Sequence, residues 1–237
     1  MQKQNFLPDK MKILSGSAIK VLAVVTMLID HIASHLIDPC IVLFSFAGHT
    51  VKLYMIMRYI GRLAFPLFAF LLVEGFVHTR NRVKYGVSLL IFTLISEIPW
   101  DLLHHGVWFS FKDQSVFVTL LFGFLGMYVI ETFKNKPVLQ VAALLLFAAM
   151  TVVLRADFSI KGYTFILLLY ALRQNEVLRI ISAFVLNTHW WCLPAFIPIS
   201  LYNGKRGFIK GKVLKYAFYV FYPAHLLIIY LIKYFII

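Results

Sequence analysis

The chain has 237 residues, of which 61% are hydrophobic and only 14% charged, and its mean hydropathy is +0.84. A soluble domain carries about 25% charged residues, so this composition excludes the soluble classes and predicts an all-α, polytopic transmembrane helix bundle, a single domain over residues 1–237. The net charge is +13, but the basic residues cluster in short loops between apolar segments, which indicates topology control and not nucleic-acid binding.

Apolar segments follow one another along the chain, and a bilayer crossing needs about 20 such residues in a helix. We expect membrane segments near residues 18–37, 59–77, 86–103, 114–132, 138–154, 162–172 and 216–236. The apolar run 177–202 either crosses once or folds back near 188–192. We favour the hairpin, because it returns the basic loop 205–215 to the side of the other basic loops. The total is about 8–9 membrane segments, with the N-terminus in the cytoplasm.

The first segment carries Asp30 and His31 in its second half. Neighbouring residues of a helix point about 100° apart, so these two side chains should meet different partners. Ionisable groups inside a membrane are costly and usually functional. A pair that only stabilises the bundle is the alternative, and we favour a functional site because Arg62 follows at a similar depth.

The second segment places Arg62 near one end and Glu74 toward the other, with Pro66 one turn after the arginine. Because Pro66 has no N–H, the carbonyl of Arg62 loses its helical partner, and we expect the helix to bend there. Exposed backbone groups cannot face lipid, so the bend predicts a polar pocket. An arginine that extends to the membrane surface is the alternative.

Charged residues continue beyond this segment toward the predicted cytoplasmic surface. Glu74, His78 and Arg82 follow at i, i+4 and i+8 and should form one stripe, and Arg80 and Lys84 add two cations at the helix junction. Such clusters suit phosphate groups. We therefore expect a site for an anionic ligand, with ordinary helix-end ion pairs and the charge bias of cytoplasmic loops as alternatives.

Two later segments add further ionisable groups. Glu97 ends the third segment and should pair with Arg62 or orient His31, and His225 lies near the middle of the last segment. A neutral His31 can take a proton from an attacking amine or hydroxyl, while Arg62 stabilises developing negative charge. This set predicts general acid–base chemistry.

A metal site is not expected. Cys40 and Cys192 provide neither metal-ligand spacing nor a disulfide framework. His31 and His35 have the i, i+4 spacing of metal ligands but lack a clear third ligand.

Short motifs distributed along the chain resemble one known family. They are 27–32 (MLIDHI), 61–70 (GRLAFPLFAF), 74–76 (EGF), 79–81 (TRN), 84–85 (KY), 96–99 (SEIP), 201–204 (LYNG) and 221–226 (FYPAHL). In order and spacing they resemble the TraX family of conjugal-transfer membrane proteins, and only the region 105–200 carries little of the likeness. The resemblance implies a bacterial inner-membrane acyltransferase that takes acetyl-CoA as donor and acetylates a pilin N-terminus, and a relation to the acyltransferase-3 enzymes, whose first helix carries an essential histidine.

Carried over by position, the resemblance makes His31 the general base, with Asp30, Arg62 and Glu97 in the same catalytic site and His225 pointing toward it. The expected partners are an acyl-CoA, an acceptor peptide, pilin or glycan, and membrane lipids, without nucleic acid. A transporter or proton-coupled permease with a buried charged pathway, and a non-catalytic assembly factor, are the competing functions. The lack of a visible internal repeat weighs against the transporter.

Overall fold

The structure is a computed structural model that describes residues 7–46, 49–185, 190–209 and 211–236. Backbone polar groups must be paired inside a membrane, and long apolar runs achieve this as helices. The described helices are α1 (Gly16–His35), α2 (Leu53–Gly61), α3 (Ala64–His78), α4 (Arg82–His105), α5 (Val116–Thr132), α6 (Pro137–Val153), α7 (Ser159–Ala171), α8 (Glu176–Val185), α9 (Phe196–Ser200) and α10 (Lys212–Phe235), with 3-10 turns at Asp9–Met11 and Trp190–Ala195.

Within the described residues, four stretches are long and apolar enough to cross a membrane. They are α1, α2 together with α3, α4, and residues Tyr216–Phe235 of α10. The helices α5, α6 and α7 are shorter but also apolar. The protein is therefore a helical membrane protein, as its composition predicts, and its helices follow the predicted segments in order.

The first helix defines the two ends of the bundle. We call the end at which α1 begins, at Gly16, the basal end, and the end at which it stops, at His35, the distal end. A two-stranded antiparallel hairpin, β1 (Val42–Phe46) and β2 (His49–Lys52), joins α1 to α2 at the distal end. The pattern of apolar segments in the sequence does not predict these strands.

The long apolar run after α7 returns to the end from which it starts. Near its beginning, Glu176 forms an ion pair with Lys12, with 3.2 Å between Oε1 and Nζ. At its end, Tyr202 forms a backbone bridge with Leu14. Both ends of the run thus lie at the basal end, as a chain that folds back requires. The predicted turning point, 188–192, lies partly outside the described residues.

The predicted second segment consists of two helices and is not one bent helix. α2 ends at Gly61 and α3 begins at Ala64, so Arg62 lies in the break. Pro66 offers no N–H to the Arg62 carbonyl, which instead lies 3.4 Å from the Sγ of Cys192 and accepts its weak hydrogen bond. The carbonyl is released as predicted, but the break precedes the proline.

The α3 helix forms the centre of the bundle, where it contacts α1, α5 and α7. Leu67, Phe70, Val73 and Phe76 on this helix are at most 2% exposed. Because α3 is packed on several sides, it is apolar around its whole circumference and holds the break at Arg62 in a fixed position.

Candidate active site

A cavity of about 290 Å³ lies toward the distal end, between α1, the α2–α3 break, α4, the start of α5, the loop that precedes α7, and α10. Besides Tyr222, its ionisable lining residues are Asp30, His31, His35, Arg58, Arg62, His104 and Asp157. Three of them, Asp30, His31 and Arg62, are predicted site residues, and the structure brings these three to one cavity. The packing of α1 against the broken α2–α3 element is what positions them.

Two histidines from opposite ends of the chain are joined behind this cavity. The Nδ1 of His31 lies 2.8 Å from the Nε2 of His225, and the Nδ1 of His225 lies 2.9 Å from the carbonyl oxygen of Phe221, one turn earlier in α10. A carbonyl only accepts, so we assign the hydrogen of His225 to Nδ1 and infer that its Nε2 accepts from His31 Nδ1–H. The Nε2 of a neutral His31 then carries a lone pair.

The two rings differ in their access to the cavity. His31 lines the cavity, whereas His225 does not and is only 4% exposed. His225 therefore fixes the tautomer and the ring orientation of His31 from behind, and His31 presents a basic nitrogen at the cavity. The sequence places both residues in one site, and the structure adds that they contact each other directly.

The partner of Asp30 is Arg58, and not the arginine that the sequence places at a similar depth, Arg62. Arg58 Nη1 lies 2.6 Å from Asp30 Oδ2, and the two side chains are 22% and 19% exposed. Gly61 explains the close packing, because a Cβ at this position would overlap the Asp30 carboxyl group. The remaining oxygen of Asp30, Oδ1, is buried and has no hydrogen-bond partner among the described residues.

Arg62 is half-buried in the cavity wall and forms no ion pair with any residue that the structure describes. Opposite lies Asp157, from the loop between α6 and α7. Burial raises the pKa of Asp157 to about 6, while the N–H of Phe158, 3.0 Å from Oδ1, and the charge of Arg62 act in the other direction. Arg155 and Phe158 in this loop have φ of 51° and 62°, and Ser159, the first residue of α7, has φ of 42°. Such conformations are uncommon outside glycine and cluster at functional sites.

Two further imidazoles line the cavity. The ring of His35 meets that of His104 edge-on, with centroids 4.7 Å apart, and its Nε2 is buried without a partner in the described structure. His104 stacks on Trp100 and directs Nδ1 to the carbonyl of that residue at 3.0 Å. Despite this density of imidazoles, the described residues contain no group of three or more His, Cys, Asp or Glu side chains that could hold a metal ion.

Glu97 lies outside the cavity. Its carboxylate accepts from the Ser115 hydroxyl at 2.6 Å and from the Ser115 N–H at 3.3 Å, where Ser115 precedes α5. A carboxylate is stabilised at a helix N-terminus, because free N–H groups and the helix dipole favour negative charge there. The predicted contacts of Glu97 with Arg62 and His31 are therefore wrong: the α5 terminus engages its carboxylate.

The residues predicted to bind an anionic donor lie at the basal end and do not form one stripe. His78 ends α3, and its Nδ1 lies 3.0 Å from the Glu74 carbonyl and 3.6 Å from a Glu74 carboxylate oxygen. The helix does not continue to Arg82, because Asn81 caps a new helix there. Arg82 instead lies 3.8 Å from a carboxylate oxygen of Glu131.

The two other predicted donor-binding cations are Arg80 and Lys84, and both side chains are exposed at the basal end. They are compatible with an anion at that surface. The structure does not assemble them with Glu74 and His78 into a single pocket.

Comparison with known proteins gives one consistent result. A family model described as TraX protein matches residues 15–233. A curated relative, the "Probable fimbrial assembly protein FimC, serogroup H1" of Dichelobacter nodosus, is 29% identical over a match that covers 90% of this chain and 93% of that protein. No solved structure gives a significant match.

Proposed function

Because this chain belongs to the TraX family, we propose that it is a membrane-embedded acyltransferase that uses an acyl-CoA, with acetyl-CoA the preferred donor, to acylate an amine or hydroxyl. The observation that carries this proposal is the His31–His225 pair, which leaves a basic nitrogen of His31 at the cavity. The guanidinium of Arg62 lines the same cavity without an ion pair to a described residue. A base and a cation in one small cavity are what acyl transfer requires.

The proposed reaction begins at His31 Nε2, which removes a proton from the acceptor amine or hydroxyl as that group attacks the thioester carbonyl. The carbonyl oxygen becomes negative in the tetrahedral intermediate, and Arg62 stabilises this charge. The carbon–sulfur bond then breaks, and the proton passes from His31 to the leaving sulfur. An acylated acceptor and free CoA thiol are the products, so the proton balance closes within the site.

The other residues of the predicted catalytic set act through these two. His225 is a positioning residue for His31, and the ion pair of Asp30 with Arg58 holds α1 against α2 next to the site. Glu97 contributes only by fixing the start of α5.

The size of the cavity favours a short acyl group. Its volume of about 290 Å³ lies at the lower limit for sites that bind drug-sized ligands, roughly 300–1,000 Å³. An acetyl group, the sulfur of the donor and a small part of the acceptor fill such a space. We therefore expect acetyl transfer to be preferred over transfer of a long chain.

The acceptor follows from the relative's name. That protein is described as a probable fimbrial assembly protein, so we infer that the acceptor here is a pilus or fimbrial subunit. The basic loops lie mainly at the basal end, and cytoplasmic loops carry an excess of lysine and arginine. We therefore propose that the basal end faces the cytoplasm of a bacterial inner membrane and that the cavity lies nearer the outer face.

The test is CoA release by the purified protein from acetyl-CoA and a peptide with a free N-terminus, followed by mass spectrometry. His31→Ala should abolish turnover. His225→Phe removes the acceptor of the His31 Nδ1–H, whose hydrogen bond strengthens as His31 becomes an imidazolium in the transition state. A hydrogen bond to a charged group contributes about 1.5–3 kcal/mol, so kcat should fall about 10- to 150-fold. Leu94→Ala, at a side chain 64% exposed on α4, is the control and should be unchanged.

Two results would overturn the assignment. One is wild-type turnover in His31→Ala. The other is a wild-type protein that neither releases CoA nor is stabilised against heat by acetyl-CoA, which is the behaviour expected of a transporter.

A further inference from the structure

A second cavity, of about 110 Å³, lies on the basal side of the candidate active site. Its walls come from α1, α3, α4, α5 and α10. One side chain, the half-buried Phe68 of α3, lines both cavities. The two cavities are therefore consecutive spaces in the bundle, and Phe68 is a wall that they share.

The second cavity is apolar except at three side chains. Lys20 belongs to the second turn of α1, and its Nζ lies 5.4 Å from the ring centroid of Phe218. The hydroxyl groups of Tyr85 and Tyr219 are hydrogen-bonded to each other in the same wall. A ligand suited to this space is narrow, carries negative charge at its basal end and offers amide or hydroxyl groups along its length.

The distance between the two sites fits one particular ligand arm. Lys20 and His31 are 11 residues apart in α1, which corresponds to about 16 Å along the helix. CoA carries its phosphates and its thioester at opposite ends of a linear pantetheine arm of comparable length, and that arm contains two amide groups. A donor with its phosphates near Lys20 would present its acyl group to His31.

We propose that the second cavity is the entry channel for the pantetheine arm of the thioester donor and that Phe68 moves aside when the arm binds. This inference rests on the proposed acyltransferase function. It places the phosphates beside Lys20. Lys84, which is exposed and directly precedes Tyr85 in the sequence, is a second cation at the same end. The predicted cluster around His78 and Arg80 then lies beside the entrance and not within it.

The experiment measures whether acetyl-CoA shields the second cavity from a small thiosulfonate reagent. Leu71 lines this cavity one turn after Phe68, so Leu71→Cys places a thiol in it. The background is Cys40→Ser with Cys192→Ala, which removes both natural thiols. Leu94→Cys, which lines neither cavity and is exposed, is the matched control.

Acetyl-CoA should slow modification of Leu71→Cys at least tenfold and leave Leu94→Cys unchanged. Inorganic phosphate at the same concentration should protect neither, because it lacks the arm. Calorimetric titration of the background protein with acetyl-CoA distinguishes a failure of the proposed function from a failure of the channel. No binding would overturn the proposed function, whereas binding without protection of Leu71→Cys would overturn the channel alone.

Phe68 itself provides a second test. Phe68→Trp enlarges the wall between the cavities and should raise the KM for acetyl-CoA at least tenfold. Leu94→Trp, which adds an indole ring at an exposed side chain that lines neither cavity, is the control and should leave the KM unchanged. The melting temperature of each variant shows whether it is folded. A folded Phe68→Trp protein with an unchanged KM would contradict the role of Phe68.

Discussion

Removal of Arg58 should destabilise the protein far more than removal of Arg62, although the two residues are one helical turn apart in sequence. Arg58 holds Asp30 at 2.6 Å, and about a fifth of each side chain is exposed. The second oxygen of Asp30 already lacks a partner in the described structure. Arg58→Met therefore leaves a largely buried carboxylate without compensation, whereas Arg62 holds no described carboxylate in an ion pair.

The expected magnitude follows from the burial of the pair. Breaking a fully buried ion pair by removing one partner costs about 3–5 kcal/mol. Residual exposure of Arg58 and Asp30 allows water to screen the remaining charge, so we expect about 2–3 kcal/mol. In a chain of this length each kcal/mol lowers the melting temperature by about 2–4 °C, which gives a loss of about 4–12 °C. Arg62→Met should cost less than about 1 kcal/mol.

The assay is thermal unfolding followed by tryptophan fluorescence, in one detergent and at one protein concentration. The double variant Arg58→Met with Asp30→Asn should recover part of the loss, because it leaves no unpaired charge. Equal shifts for Arg58→Met and Arg62→Met, or a larger shift for the latter, would refute the assignment of Arg58 as the partner of Asp30.

Three other changes test neighbouring parts of the site by the same unfolding assay. Glu97→Gln should cost about 1 kcal/mol by weakening the α5 cap, and should cost clearly less in a Ser115→Ala background; equal costs would exclude the cap. Gly61→Ala should cost about 1–3 kcal/mol, since the methyl group overlaps Asp30, and an unchanged melting temperature would contradict that packing. Burial raises the pKa of Asp157 from 3.8 to about 6, so its contribution to stability is complete below about pH 4 and lost as the pH rises through about 6. Asp157→Asn should therefore gain in melting temperature relative to the parent between pH 4 and pH 8, and a gap independent of pH would contradict this.

The membrane segments are predictable because bilayer thickness imposes a length on each apolar run. The return of the chain to the basal end between Glu176 and Tyr202 is predictable for a different reason. A single crossing would place the basic loop 205–215 opposite the other basic loops, and the distribution of lysine and arginine opposes that arrangement. The β1–β2 hairpin lies outside the spans, where neither constraint applies.

The sequence predicts how deep each site residue lies along its helix, but not toward which neighbour its side chain points. Counting residues along each helix places Asp30, His31 and Arg62 at similar depths and His225 near the middle of its segment. The first three line the cavity, and His225 holds His31 from behind. Residue counts do not reveal which arginine faces Asp30. That choice depends on where α2 stops, and the stop precedes the proline that signals it.

Glu97 shows how a correct depth still leads to a wrong contact. An acid near the distal end has several possible partners there, and the free N–H groups at the start of α5 compete with Arg62 for it. The sequence does not predict Asp157 and His104 as site residues. Asp157 lies in a loop and His104 at the end of a helix, and no hydrophobic periodicity indicates how these parts of the chain turn toward the cavity. The motif Arg58–Arg62, two cations at i and i+4, is the one sequence feature that indicates Arg58.

The packing between the two ends of the bundle helps to decide between an acyltransferase and a transporter. A proton or ion pathway needs polar groups or water at successive depths. Below the active-site cavity, α3 instead presents Leu67, Phe70, Val73 and Phe76, each at most 2% exposed, and Phe68 lies between the two cavities. A narrow amphipathic arm fits the proposed channel, whereas a hydrated cation there would lose its water and meet mainly apolar side chains, Lys20 and two tyrosine hydroxyls. This arrangement favours chemistry at the distal cavity over passage through the membrane.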